Sequence, residues 1–160
     1  IATVAWALSP LGARVALSIP LGVLVGFQVF RIPVEVLLHR LAGEGGIPFE
    51  MTYTGRNFDI VTGVTGGLLG IALLRGRAVP RSVLLAWNVL GLLLLANIVG
   101  VAALSTPTPF RVFTDGPPNL LPSTVPFVWL PTFLVQLALA GHLLLFRRLA
   151  SGRFSEGIPS

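Results

Sequence analysis

Four apolar stretches fill most of the chain: Val15 to Phe30, Ile60 to Leu74, Val83 to Leu104 and Val125 to Phe146. Each ends at an arginine or at a loop rich in proline and glycine. With a few flanking residues, each approaches the roughly 17 to 25 positions a helix needs to cross ~30 Å of hydrocarbon. The expectation is an all-α, polytopic membrane protein: one bundle of four transmembrane helices over 11–32, 58–74, 82–104 and 124–147, with a short interfacial helix on its outer side. Connections fall at 43–57 and 105–122 on one side, and at 75–81 with the tail 148–160 on the other. The 160 residues are 54% hydrophobic and 11% charged, with a mean hydropathy of +0.87, well outside the range of water-soluble domains. No hydrophilic segment is long enough for a second folded unit.

Composition removes several chemistries. Without cysteine there is no thiolate nucleophile, disulfide exchange or cysteine-held iron–sulfur cluster. All 11 basic residues are arginine, so a lysine Schiff base and a Walker lysine are also excluded. The start, Ile1-Ala2-Thr3, continues apolar past Arg14 and lacks the pattern of a cleaved signal, so the first run reads as a retained span; residues before Ile1, up to one further span, could precede it.

Charge sets the expected orientation. Four crossings put Arg14, Arg75, Arg77, Arg81, Arg147, Arg148 and Arg153 on one side with only Glu156, and Arg31, Arg40, Arg56 and Arg111 on the other with five carboxylates. The positive-inside rule makes the first side, carrying both termini, cytoplasmic. The net charge of +5 then reads as an orientation signal rather than a nucleic-acid footprint, and no nucleic-acid partner is expected. Trp87 and Trp129 suit the interfacial aromatic belt.

Helix pairing is written in glycine. Gly22 and Gly26, Gly63 and Gly67, and Gly66 and Gly70 are spaced four apart, which clears flat lanes for close backbone approach within the bundle or between chains. Pro20 and Pro131 predict kinks. The polar residues inside the spans, Thr62, Thr65, Asn88, Asn97, Gln136 and His142, read as interhelical hydrogen-bonding groups. On this reading no carboxylate lies at hydrocarbon depth, which ranks a transporter third.

The densest polar pattern follows Val25. Gln28, Arg31, Glu35 and His39 recur at three, four and four, so on one helix they share an arc of about 80°. Glu35 could then pair with Arg31 and His39. Pro33 argues for a bend at Ile32, with Val34, Leu37, Leu38 and Leu41 forming the apolar face of a helix on the outer surface. The next loop adds Glu50, Arg56, Asn57 and Asp59, with Asn57 suited to a helix cap, Asp59 to the first turn and Arg56 to a carboxylate partner. These eight residues form the candidate polar site on the outer, periplasmic face. The sequence points to no metal. No cofactor is predicted; a single-ligand pigment or haem at His142 is the one conceivable exception, since His39 and His142 are expected about 30 Å apart along the membrane normal.

The stretches Phe30 to Glu35, Thr54 to Asp59 and Phe127 to Phe133, with Gly141-His142, resemble small bacterial four-helix membrane proteins without an assigned activity. The resemblance covers about half the chain. It implies the bundle and a bacterial inner membrane, and it transfers no catalytic residue. The leading functional expectation is a non-catalytic subunit or assembly partner of a larger membrane complex, with lipid and other subunits or further copies as its neighbours. The alternative is a small membrane enzyme or solute-binding protein using the outer polar site.

Overall fold

The computed structural model describes residues 1–151, all helices, turns and irregular connections with no strand. The expected loose tail falls mainly on 152–160, outside the described residues. Three helices are long and apolar enough to cross a membrane, Leu21–Gly43 (α3), Arg81–Ser105 (α5) and Leu130–Ala150 (α6), while Ile60–Leu74 (α4) is apolar but shorter. Two short helices, Ala2–Leu8 (α1) and Pro10–Ser18 (α2), precede them.

The first long helix differs from expectation at both ends. Pro20 does more than kink it: α2 stops at Ser18, and Ile19 and Pro20 are extended, with ψ of 130° and 136°. A proline has no N–H to continue a helix and pushes the residue before it out of helical geometry. The helix that restarts at Leu21 then passes straight through Pro33. Its middle tightens into a 3-10 turn over Phe27–Phe30, and Gly26, Phe27, Phe30 and Arg31 all keep right-handed helical dihedrals. The expected bend at Ile32 and the separate interfacial helix are therefore absent among the described residues. Residues 31–43 are the second half of α3.

This shift of register carries Arg31 and Glu35 from the outer mouth to the middle of a helix of membrane-crossing length. It also accounts for the brevity of α4. Asp59, at the N-terminus of α4, meets Arg31, so α4 begins level with the middle of α3. The space above is filled by the 44–59 connection, whose Ile47, Met51, Thr52 and Asn57 are buried. Irregular backbone at such depth is tolerated where protein surrounds it.

Glycine joins α3 to α4. Side chains at Gly22 or Gly70 would strike the facing backbone, Gly26 stands against the Cα of Gly70, Gly63 lies under Ile32, and Gly67 faces Val29. The lanes are thus used within the chain. The amino-terminal helices pack on α6, where Thr3 Oγ1 donates to Gln136 (2.7 Å), Arg147 donates to the carbonyls of Ala7 and Ser9 (2.7 Å each), and Arg148 donates to that of Leu17 (2.6 Å). At Pro131 the expected kink takes the form of a π-helical turn, Leu130–Leu134, which opens α6. A π turn accommodates the missing donor locally.

Two apolar clusters form the core. One, around Leu24, Val25, Leu84, Trp87, Leu144, Leu145 and Leu149, joins α3, α5 and α6. The other, around Leu38, Ile47, Met51, Val101 and Leu121, ties the upper half of α3 and the top of α5 to the 44–59 and 105–122 connections. Trp87 is only 7% exposed and donates to Thr65 Oγ1 (2.9 Å), so it belongs to the interior rather than to the aromatic belt, whereas Trp129 is exposed.

Candidate functional site

Between the two apolar clusters lies a layer of polar side chains, nearly all buried. Arg31 is its centre. Its Nη1 pairs with Asp59, its Nη2 donates to His142 Nε2 (3.0 Å), and its Nε donates to Gln28 Oε1 (3.0 Å). Gln28 in turn donates to the carbonyl of Ala138 on α6 (3.2 Å). One guanidinium thus joins α3, the start of α4 and α6, and it is 2% exposed.

Because arginine only donates, Nε2 of His142 must accept, which places the ring proton on Nδ1. That proton goes to Asn88 Oδ1 (2.7 Å), and Asn88 Nδ2 returns a bond to the carbonyl of His142 (3.0 Å). The histidine is therefore neutral, fixed in one tautomer, and 0% exposed beneath Trp87, whose ring centroid is 5.9 Å away. Gly91 makes room for it, since a methyl group there would come within 2.5 Å of His142 Cε1. With both nitrogens engaged, this arrangement leaves no lone pair facing an open coordination position.

Glu35, one turn above Arg31 and 2% exposed, is held differently. Asn57 Nδ2 donates to both of its oxygens (2.7 Å each) and to the carbonyl of Met51 (3.2 Å), while Asn57 Oδ1 accepts from the Asp59 N–H (3.1 Å). Asn57 therefore fixes the entry to α4 and the carboxylate of α3 together. Its replacement by alanine would leave the carboxylate and the Asp59 N–H without these partners; a loss of about 1–3 kcal/mol is expected. Chemical unfolding in mild detergent measures it, and an unchanged midpoint would contradict this account of the loop.

Of the eight residues expected in one polar site, five meet here: Gln28, Arg31, Glu35, Asn57 and Asp59. The other three do not join them. His39 stacks on Tyr53 (4.6 Å between centroids) and lies 3.4 Å from Thr54 Oγ1. Arg56 places its guanidinium over the ring of Phe113 (5.3 Å) instead of pairing with a carboxylate. Glu50 lies in the 3-10 turn Phe49–Met51 of the loop. The expected pairing of Glu35 with Arg31 and His39 is replaced by Asn57, because the N-terminus of α4 brings Asp59 to the guanidinium first. The sequence reads Asn88 and His142 as interhelical hydrogen-bonding groups, which the structure bonds to each other, and puts His142 about 30 Å from His39 along the helix direction. The contact with Arg31 instead puts His142 within reach of a residue only eight positions, roughly 12 Å of helix rise, from His39. Arg31, Glu35 and His142 all lie inside helices long and apolar enough to cross a membrane.

Beside this layer is a cavity of about 470 Å³. Its walls come from the upper half of α3, from Leu95 to Ala103 on α5 with Thr106 just past its end, and from the π turn and following residues of α6, with Asn119 and Leu121 also lining it. Most of that wall is aliphatic; Arg31, Glu35 and Asp59 form its charged end. Val99 and Ala103 of α5 and Pro122 of the 105–122 connection line it and are also exposed, so the cavity borders the molecular surface there. Volume and character fall in the range of small-molecule sites, on the order of 300–1,000 Å³ with a few convergent polar groups. Among the described residues there is no group of three or more histidine, aspartate or glutamate side chains able to hold a metal ion.

No curated protein and no solved structure matches the chain. Residues 1–150 match the profile of a domain of unknown function, DUF8737, and the chain belongs to that family.

Proposed function

We propose that the protein is a membrane-embedded binding protein that takes a small amphiphile from the bilayer into the cavity between α3, α5 and α6. The observation that carries this reading is a single one: an aliphatic cavity bordered on one side by exposed residues of the apolar helix α5 and on another by a buried polar layer. Such a shape matches a molecule dissolved in lipid, with its apolar body along Leu95, Ile98, Leu130 and Leu134 and its head at Glu35 and Arg31. The protein resides in a bacterial inner membrane with both termini cytoplasmic, as its arginine distribution favours, and α4 with its inward-folded loop completes a fourth crossing. The alternative role, as an assembly subunit, loses one of its supports because the glycine lanes of α3 and α4 are taken up within the chain.

Native mass spectrometry from lipid nanodiscs tests the reading. One retained amphiphile per chain is expected, and Ala102→Phe, which fills the cavity from α5, should remove it while circular dichroism stays unchanged. A protein that shows no saturable binding of any amphiphile, or whose retained lipid is indifferent to Ala102→Phe, would refute it.

A further inference from the structure

The proposed site holds an acidic group, Glu35, whose hydrogen-bonding capacity is only partly used, and this specifies the head group. Each nitrogen of Arg31 already donates to a protein acceptor, on Gln28, Asp59 and His142, which takes up three of its five N–H groups. Glu35 stands on the same cavity wall without a cation of its own: both oxygens share one donor, Asn57 Nδ2. A carboxylate has about four acceptor positions, so part of the capacity of Glu35 is unfilled. The ionisable residues lining the cavity are Arg31, Glu35 and Asp59; Arg31 and Asp59 pair with each other, and Glu35 has no ion-pair partner among them. A buried site of this kind has room for acceptance and for one positive charge. A carboxylate or phosphate head would stand beside two carboxyl groups, Glu35 and Asp59, on the same wall.

We infer that the ligand is a cationic amphiphile, an alkyl chain bearing a protonated amine that donates to Glu35 at the closed end of the cavity. The inference rests on the binding role proposed above and adds to it the sign and hydrogen-bonding sense of the head. The aliphatic wall sets the chain, and the exposed Val99 and Ala103 mark where it passes in from the hydrocarbon.

Dodecylamine, dodecanol and laurate, equal in chain length and different in head, are the probes. Binding to the full chain in zwitterionic nanodiscs is measured near neutral pH by native mass spectrometry and thermal stabilisation. Dodecylamine is expected to bind once per chain and roughly tenfold or more tighter than either competitor, the ratio that a hydrogen bond to a charged group supplies. Glu35→Gln keeps an acceptor for Asn57, so the fold should persist, and it should erase the preference of amine over alcohol while dodecanol still binds. Dodecanol or laurate binding as tightly as the amine to the unaltered protein overturns the inference and leaves the binding role standing. Failure of all three to bind saturably overturns both.

Discussion

Replacing Arg31 by methionine is expected to destabilise the bundle by roughly 3–5 kcal/mol, the cost of leaving a buried charge without its partner. Three elements depend on this one side chain: Asp59 at the head of α4, His142 on α6 and Gln28 on α3 itself. Asp59, 5% exposed, would remain buried without its cation or take up a proton. The double replacement Arg31→Met with Asp59→Leu should recover much of the loss, since a buried ion pair exchanged for apolar groups of similar volume is often near neutral. Steric trapping or denaturant unfolding in detergent gives both values. Equal instability of the single and double variants would mean that the guanidinium acts chiefly through Gln28 and His142 and not through the ion pair.

Gly70→Leu should be comparably severe, beyond the roughly 1–3 kcal/mol usual for an overpacked core. What faces Gly70 is the backbone of Gly22 and Gly26, which has no rotamer into which to retreat. The neighbouring lane supplies the control. Gly67 faces only the side chain of Val29, at 3.4 Å from a methyl group placed on it, so Gly67→Ala should be close to neutral. Similar melting shifts for Gly70→Leu and Gly67→Ala would disprove the close approach of α3 and α4 at Gly70.

The contrast between these two positions shows where the sequence was informative. Spacing of four marked Gly22, Gly26, Gly66 and Gly70 as packing residues, and the apolar runs placed α4 and α5 within a residue or two of where they lie. What hydropathy could not see was a backbone effect. Ile19 and Pro20 are as oily as their neighbours, so the first run reads as one span although its chain is extended there. The actual helix overlaps that run only from Leu21 to Phe30, and everything read from depth moved with it. The polar stripe Gln28, Arg31, Glu35 was legible because it recurs with the helical period. Its partner His142, and Asn88 behind that histidine, were not, because a contact across 111 residues leaves no periodic trace. One clue was present: helix α6 carries Gly141 beside His142, and Gly141 is the residue against which Phe27 and Gln28 close.

The sunken start of α4 bears on how the protein is made. A 15-residue helix covers about 22 Å, short of the ~30 Å that an insertion machine reads as a self-sufficient stop. In the proposed membrane setting its insertion would be tied to α3, which emerges just ahead of it. The two are best delivered to lipid as a hairpin in which the guanidinium of one arm and the carboxylate of the other have already neutralised each other, so that neither crosses the translocon wall as a bare ion.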